Sequence, residues 1–369
     1  MMHAPGALLA CLAAACALSA AQLDPKLSRC HLEGRTQDPS KTPCVAPYSS
    51  ASAGDDLRDY SDASGGWVPG QAYTTSAALG ELPCNIEIRD AASLSYAAFR
   101  DEFEEKKPVI IRGMSKGGGG GTSSSASPPQ SRNKRLREAC NRRRLLSEWG
   151  DTTVTLATGN TYSLRKAETK LSTYTELMMG ELPLGRHSAR NKKNGPGEGA
   201  LPTADTVAED GLTNADEVWY HFGDHNHKEW EPLFDLYDFP SKYISEDMDP
   251  LVAWGLGGTH SGVPFHFHGH GFGEMIYGRK RWFLTPPDMK PDFRSNVTTL
   301  DWATFVLPGL PQEQQPLQCV LSPDEIIYFP GMWWHATLNL DESVFVSSFL
   351  APKPNYNVLG GGGGKSGEL

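Results

Sequence analysis

Residues 264–269 read Pro-Phe-His-Phe-His-Gly, and the interpretation of the whole chain starts from this stretch. Successive side chains of a β-strand alternate between its two faces, so His266 and His268 would point the same way. Two imidazoles on one face can share a metal ion, and a third ligand must then come from another strand. His335, within the β-like sequence around 326–338, is the obvious donor. The three histidines therefore predict a metal site with one side open for a substrate.

The pair His266 and His268 is a weak signal by itself, because a histidine is more often a hydrogen-bonded structural residue than a ligand. The surrounding sequence strengthens the metal interpretation. Gly278 marks a turn, and Lys280 begins a second β-like segment directly after it. His335 follows a Pro-Gly turn and two tryptophans. These features favour a strand framework around the histidines.

The N-terminus predicts a compartment. Residues 8–20 are an apolar run of signal-peptide length with small residues after it, so residues 1–21 are interpreted as a signal peptide. No later apolar run reaches the ~18 residues of a membrane span, which predicts a secretory-pathway protein without a transmembrane segment. Asn296 begins the glycosylation sequon Asn-Val-Thr in a polar stretch, and we expect it to carry a glycan.

Cysteine usage is compatible with an oxidising compartment. The chain has seven cysteines, of which Cys11 and Cys16 lie in the signal peptide, so five remain. An odd number requires at least one free thiol or an intermolecular bridge. Cys30 and Cys44 are close together in a loop-like segment, where an oxidising lumen would favour their pairing.

Composition divides the chain into one folded domain and low-complexity segments. Residues 22–83 are rich in Ser, Asp, Gly and Pro, which predicts a disordered segment. Residues 84–350 form one domain, with flexible insertions near 115–133 and 185–215. The glycine-rich tail 351–369 ends in Ser-Gly-Glu-Leu, which is either a degenerate endoplasmic-reticulum retrieval signal or the end of a flexible tail.

The charge balance argues against nucleic acid as a partner. The chain has 34 Lys and Arg against 44 Asp and Glu, a formal net charge of −10, whereas sequence-independent binding of nucleic acid needs a basic surface. A basic cluster at 134–144 is interpreted as the solvated face of a helix that ends near Trp149. Leu136, Leu145 and Leu146 would form its inward face.

Short β-branched and aromatic runs separated by turn signals predict a mainly β domain. We predict strands at 108–112, 152–157, 218–222, 251–256, 264–268, 274–277, 281–285, 318–321, 325–329, 336–340 and 343–350. Helices are predicted at 99–105 and around 301–306. This pattern is typical of a double-sheet barrel or jelly roll with flanking helices.

Three blocks of sequence together resemble the JmjC-domain family. They lie at residues 99–113, 262–282 and 329–335 and end in Lys-Pro-Val-Ile-Ile-Arg-Gly, Gly-Arg-Lys-Arg-Trp and Phe-Pro-Gly-Met-Trp-Trp-His. The resemblance covers about residues 84–350 apart from the insertions. It implies a cupin-type double-stranded β-helix and the chemistry of an Fe(II)- and 2-oxoglutarate-dependent dioxygenase. The resemblance is greatest to a family member that resides in the lumen of the endoplasmic reticulum. It therefore implies a lumenal location for this protein, with secretion as the second choice.

The resemblance also assigns roles to single residues. In active members a His-x-Asp/Glu pair and a distal histidine hold the iron, and a lysine binds the far carboxylate of 2-oxoglutarate. His266 and His335 match the two histidines, and Lys280 matches the lysine. His268 stands where the family has the carboxylate. Three neutral imidazoles keep a metal-binding set but remove the ligand charge of the ordinary site.

Three further residues are candidates near these. The metal motif of cupins in general includes a Glu as an occasional fourth ligand, for which Glu274 is a candidate if the glycines at 269, 271 and 273 do not break the strand. Asn339 lies four residues after His335. Tyr277 and Asn339, with neighbouring tryptophans, are assigned to the pocket for the cosubstrate.

These observations lead to three functional hypotheses. The first is an Fe(II)/2-oxoglutarate-dependent hydroxylase acting on a protein substrate of the secretory pathway. The second is a catalytically inactive JmjC protein that binds a protein partner there. The third is a metal-binding cupin with chemistry independent of 2-oxoglutarate. Residue 268 discriminates between them, because a carboxylate there favours turnover, whereas the histidine leaves metal binding without a defined reaction.

Overall fold

The computed structural model describes residues 64–70, 82–114, 132–163, 165–179, 212, 215–224 and 230–353. The predictions for the signal peptide, for the pairing of Cys30 with Cys44, for most of both insertions and for most of the tail concern other parts of the chain.

The described residues form thirteen β-strands. They are β1 (Ile88–Asp90), β2 (Val109–Arg112), β3 (Thr153–Thr158), β4 (Lys166–Lys170), β5 (Trp219–Asp224), β6 (Met248–Gly257), β7 (Gly262–His266), β8 (Gly271–Tyr277), β9 (Lys280–Thr285), β10 (Leu317–Leu321), β11 (Ile326–Phe329), β12 (Trp334–Asn339) and β13 (Ser343–Pro352). Each predicted strand overlaps one of these. Strands β1 and β4 were missed because their short, mostly polar sequences lack the β-branched and aromatic runs that mark a strand.

The strands form two sheets. One has nine strands in the order β1-β2-β11-β8-β13-β6-β5-β3-β4, and the other has four in the order β10-β9-β12-β7. All neighbouring strands are antiparallel except the parallel pair β1 and β2. The prediction of a mainly β, double-sheet domain is confirmed.

Short helices flank the sheets. They are α1 (Tyr96–Glu102), α2 (Lys134–Ala139), α3 (Arg142–Trp149), α4 (Leu171–Thr173), α5 (Glu231–Phe234) and α6 (Thr299–Asp301). Helices α4 and α6 continue as π-helical turns over Tyr174–Met178 and Trp302–Val306, and 3₁₀ turns lie at Ala215–Glu217, Ser241–Tyr243, Leu307–Gly309 and Gln312–Gln314. The single helix predicted over the basic cluster is two helices, α2 and α3, of which α3 ends at Trp149 as predicted. Leu136 and Leu145 are buried, and Leu146 is partly buried. None of the helices in the described part of the chain has the length and apolar character needed to cross a bilayer.

Apolar side chains join the two sheets face to face. Met275 and Ile327 of the nine-stranded sheet pack in one cluster with Trp282 and Leu284 of the four-stranded sheet. The helical segment at 299–309 packs on the other face of the four-stranded sheet. Polar groups between the sheets are therefore shielded from solvent, and each needs a partner or a ligand.

One segment departs from the disorder predicted for residues 22–83. Within residues 64–70, Trp67 is buried, and its Nε1 donates to the carbonyl oxygen of Cys140 at 3.0 Å. The backbone N–H of Gly70 donates to the carboxylate of Asp341 at 2.9 Å. A single large apolar side chain with backbone hydrogen bonds orders this segment, although it is rich in glycine.

A disulfide ties the beginning of the domain to the four-stranded sheet. Cys84 is bonded to Cys319 in β10, across a sequence separation of 235. Cys140 is a free and buried thiol, and burial raises its pKa to about 12. The pairing of Cys30 with Cys44 stays a prediction.

We expect replacement of both Cys84 and Cys319 by serine to lower the free energy of unfolding by about 2 to 5 kcal/mol, because the bond restricts a long loop of the unfolded chain. Urea unfolding with and without dithiothreitol measures this. The wild-type protein should lose stability on reduction, and the double variant should not respond to the reductant. Equal wild-type stability under both conditions would contradict the prediction.

Candidate metal centre

The three predicted metal ligands meet at one end of the four-stranded sheet. His266 is the last residue of β7, and His335 lies directly opposite it on the antiparallel strand β12. Residues that oppose each other on neighbouring strands have Cβ atoms about 5 Å apart on the same face. Pairing between two strands therefore brings these two histidines together.

His268 reaches the same point by a different route from the one predicted. Strand β7 ends at His266, so the alternation of side chains along a strand does not place His268. A hydrogen bond between chain segments holds it instead, because the backbone N–H of Met332 donates to the carbonyl oxygen of His268 at 2.9 Å. This bond ties the turn after β7 to the turn before β12.

The ring nitrogens of the three histidines converge. One possible ligand atom from each residue lies within 4.8 Å of the others. The Nε2 atoms of His268 and His335 are 3.0 Å apart. Two nitrogens bound to one ion at about 2.1 Å and at a right angle are about 3 Å apart. The spacing thus fits two adjacent ligands of a single metal ion.

Backbone carbonyl groups fix the orientation of all three rings. The Nδ1 atoms of His266 and His335 each lie 2.9 Å from the carbonyl oxygen of the residue two positions earlier. The Nδ1 of His268 lies 2.7 Å from the carbonyl oxygen of Gly269. A carbonyl oxygen can only accept, so each Nδ1 carries the hydrogen and donates it. In a neutral ring, Nε2 is then the unprotonated nitrogen that can bind a metal.

Burial keeps these rings neutral. It lowers the pKa of His266, and it lowers that of His335 well below its usual value. Burial, together with the nearby His266, lowers the pKa of His268 to about 3. At neutral pH the lone pairs of His268 and His335 therefore face each other without a proton between them. A cation removes that repulsion, so the donor set fits a divalent transition metal.

The histidines line a cavity of about 180 Å³ between the sheets. Residues of both sheets contribute to its wall, among them Phe222, Glu274, Lys280, Trp282, Phe329, Asn339, Phe345 and Phe349. Most of these side chains are aromatic, and a few polar groups stand among them. A concave, mainly apolar site with a few polar groups is typical of small-molecule binding.

Lys280 and Asn339, both assigned to the cosubstrate, lie opposite each other on β9 and β12 and line this cavity. Lys280 is 4% exposed, and no carboxylate in the described residues pairs with it. Burial lowers its pKa well below the usual value. The Nδ2 of Asn339 donates to the Oγ of Ser261 at 2.9 Å, while its Oδ1 has no hydrogen-bond partner among the described residues. A buried lysine without a counter-ion favours an anionic ligand.

Trp282 and Phe345 complete the wall near this lysine. The Nε1 of Trp282 is buried and has no hydrogen-bond partner in the part of the chain that the structure describes. The ring of Phe345 lies over Lys280, with Nζ 2.9 Å from the ring centroid. Phe345 carries no sequence signal of this role, because only the pairing of β13 within the sheet brings it to the cavity.

Tyr277 does not join the cavity to which it was assigned. Val344 of β13 pairs with Tyr277, but Phe345 pairs with Met275, so β8 has one extra residue at this point. Such a bulge reverses the side on which the next side chain lies. Tyr277 packs in the same outer cluster as Val344, and its hydroxyl donates to the carbonyl oxygen of Arg137 at 2.8 Å. Tyr277 therefore holds the α2 region against the sheet.

Glu274 lines the cavity but is committed to other partners. Its carboxylate accepts from Asn133 Nδ2 at 2.7 Å and from the hydroxyl of Tyr237 at 2.9 Å, and it forms an ion pair with Arg132. Burial raises its pKa, and Arg132 opposes that change. The structure thus does not gather it with the histidines as a fourth ligand. Arg132 and Asn133 are buried by these contacts, although they fall at the end of the predicted insertion 115–133.

The predicted glycosylation site lies on the surface. Asn296 is exposed, whereas Thr298 of the same sequon is buried and caps α6 by accepting from the backbone N–H of Asp301 at 3.2 Å. An exposed Asn296 can carry a glycan without disturbing the core, and its use stays a prediction.

Comparison with known proteins agrees with this geometry. The model of a family described as a cupin-like domain matches residues 96–356. The chain belongs to this cupin-like family, in its JmjC branch. It is 38% identical over 286 residues to the JmjC domain-containing protein 8 of Rattus norvegicus, which covers 78% of this chain and 89% of that protein.

Two more distant similarities involve oxygenases. A 2-oxoglutarate and iron-dependent oxygenase of Gallus gallus is 28% identical over 145 residues, which cover 32% of this chain and 34% of that protein. A solved structure of a ribosomal oxygenase from Escherichia coli, in complex with cobalt and 2-oxoglutarate, has a TM-score of 0.34 and 14% identity. It covers 72% of this chain and 53% of that one.

We expect Glu274→Ala to lower the free energy of unfolding by about 3 to 5 kcal/mol, because Arg132 is then a buried charge without a partner. The same variant should keep the metal stoichiometry of the wild-type protein. His266→Ala should show the opposite pattern, with loss of metal and a smaller change in stability. Urea unfolding and Co(II) titration of both variants check this. If Glu274→Ala is folded but cannot bind Co(II), Glu274 is a metal ligand and the prediction is wrong.

We expect metal binding at pH 6.5 to release few protons, because burial lowers the pKa of the three ligands and they are already neutral. Three histidines with an ordinary pKa near 6.5 would release about 1.5 protons. Since lowered pKa values move proton competition to lower pH, affinity should also stay constant between pH 8 and pH 6.5. Calorimetry of Co(II) binding in two buffers of different ionisation enthalpy gives the number of protons released per metal ion bound. Release of more than one proton would contradict the prediction.

Proposed function

We propose that this protein is an Fe(II)- and 2-oxoglutarate-dependent oxygenase that hydroxylates a protein substrate in the lumen of the endoplasmic reticulum. One observation carries the proposal. Ring nitrogens of three oriented histidines converge at a cavity that also contains a buried lysine without a carboxylate partner among the described residues. A metal site and an anion site thus share one enclosed space.

His266, His268 and His335 would hold the iron through Nε2, and their Nδ1 hydrogen bonds prevent the rings from turning away. Lys280 would bind the far carboxylate of 2-oxoglutarate. Bound together, iron and 2-oxoglutarate would supply the activation of dioxygen. One oxygen atom would go to 2-oxoglutarate, which is oxidised and decarboxylated to succinate, and the other would hydroxylate a C–H bond of the substrate.

The protein's other side chains exclude water and orient the ligand. Phe329 and Phe349 pack edge-on against His268, with ring centroids 5.3 and 4.8 Å from it. The free N–H of Trp282 offers a donor to a ligand oxygen. Removal of water strengthens the attraction between a bound anion and Lys280, because the dielectric constant of the site falls.

The histidine at position 268 changes the charge of the site. Three neutral ligands leave a divalent ion with its full double charge, whereas a carboxylate ligand would cancel part of it. The attraction between the ion and the dianion 2-oxoglutarate is therefore larger. We expect 2-oxoglutarate to bind only when a metal is present.

The proposed location has two structural supports. The disulfide between Cys84 and Cys319 is of a kind that persists in oxidising compartments. Asn296 is accessible for a glycan. Secretion from the cell is the second choice.

A catalytically inactive JmjC protein that binds a partner in the same compartment is the second candidate function. The observation that favours it is again His268, since the ligand charge used by active members is absent. In that case the barrel serves as a scaffold, and metal, where bound, stabilises it.

Anaerobic titration with Fe(II), followed by calorimetry with 2-oxoglutarate, tests the proposal. We expect one iron per chain, its loss in His266→Ala, and a loss of at least tenfold in 2-oxoglutarate affinity in Lys280→Ala. That loss corresponds to one charge-assisted contact of about 1.5 to 3 kcal/mol. Lys290→Ala, a change in the loop after β9, is a matched control that should bind both ligands normally.

Turnover separates the two candidate functions. The wild-type protein with iron should convert 2-oxoglutarate to succinate under air, and His266→Ala should not. If only a His268→Asp variant produces succinate, the natural protein is the inactive form. Absence of iron binding would exclude the oxygenase altogether.

A further inference from the structure

The ring of Phe345 occupies the position at which a ligand would meet Lys280. The Nζ of Lys280 lies 2.9 Å from the ring centroid, and both residues line the cavity. Such a contact is a cation–π interaction, which is strongest where water is excluded. It stabilises the ammonium form of Lys280 and so opposes burial, which favours the neutral amine.

Three features of the sheet hold the ring there. Phe345 and Ser347, two positions apart on the regular strand β13, lie on the same face of the sheet and both line the cavity. On the other side of β13, Phe345 pairs with Gly255 of β6, and a Cβ at that glycine would overlap the ring. Phe222 stacks on the ring with centroids 6.0 Å apart and an angle of 25°. The contact with Lys280 is therefore built by the fold.

A carboxylate that approaches Lys280 from the cavity meets this ring. The ammonium group is nearly enclosed, with Lys280 4% exposed. A ligand must then displace the ring or share the ammonium with it. A 2-oxo acid without a far carboxylate does not need Lys280 and is not opposed by Phe345.

We propose that Phe345 is a specificity-determining gate that competes with the far carboxylate of a 2-oxo dicarboxylic acid for Lys280. This inference rests on the proposed function of the cavity. Its consequence is a site that discriminates weakly between 2-oxoglutarate and the shorter monocarboxylic acid pyruvate, because part of the attraction of the lysine is already used.

Calorimetry of the Co(II)-loaded full-length protein with 2-oxoglutarate and with pyruvate tests this. Phe345→Leu removes the ring but keeps an apolar side chain. We expect its affinity for 2-oxoglutarate to rise about tenfold, in line with a desolvated cation–π contact, and its affinity for pyruvate to stay within about twofold. Phe293→Leu, the same change at a ring that packs on Phe265 and Trp334 outside this cavity, is the matched control and should leave the ratio of the two affinities unchanged.

The double variant Lys280→Ala/Phe345→Leu isolates the competition. Without the lysine, removal of the ring should not change the affinity for 2-oxoglutarate relative to Lys280→Ala alone. A gain of the same size with and without Lys280 would mean that the ring acts only by its bulk, and would overturn the proposed competition.

A second measurement does not depend on metal binding. Acylation of Lys280 by acetic anhydride, followed by mass spectrometry, reports whether the ring covers the ammonium group. We expect several-fold faster acylation in metal-free Phe345→Leu than in the wild-type protein, and no change in the control Phe293→Leu. Equal rates in wild type and Phe345→Leu would overturn the gate. Failure of Co(II) binding, with faster acylation retained, would overturn only the proposed function.

Discussion

The antiparallel pairing of β7 with β12 is the constraint on which the site depends. It sets His266 directly opposite His335, and the same strand β12 pairs on its other side with β9, where Asn339 opposes Lys280. One strand therefore carries a metal ligand and a cosubstrate residue four positions apart on one face. A shift of one residue in this register would turn both to the opposite face, so the packing that fixes the register also fixes the chemistry.

The strands and their sheet class were predictable because β-branched and aromatic runs alternate with turn signals over most of the domain. The histidines were predictable as a set, but the route of His268 was not. Its position depends on the hydrogen bond from Met332, which joins two turns more than sixty residues apart in sequence. Local periodicity contains no information about such a bond.

The roles of Tyr277 and Glu274 were also not predictable from local sequence, because both depend on contacts with residues distant in the chain. A bulge of one residue in β8 reverses the side of Tyr277, and nothing in the local sequence marks the bulge before the partner strand is known. Glu274 lies an even number of positions from His266, as a ligand on the same strand face would. Its carboxylate, however, forms an ion pair with Arg132, which is 142 positions away in the sequence. An acidic residue near a metal motif is informative only when its other partners are known.

The charges in the cavity then indicate what kind of ligand completes it. Glu274 is balanced by Arg132, and burial, complete for His335 and partial for His266 and His268, lowers the pKa of the three histidines and favours their neutral form. A divalent ion and Lys280 would thus bring positive charge into a space where no free carboxylate of the described residues compensates it. Burial makes that charge costly unless an anion enters. In the absence of such an anion, the quadrupole of Phe345 provides partial compensation, and the same ring then becomes the obstacle that the anion has to overcome.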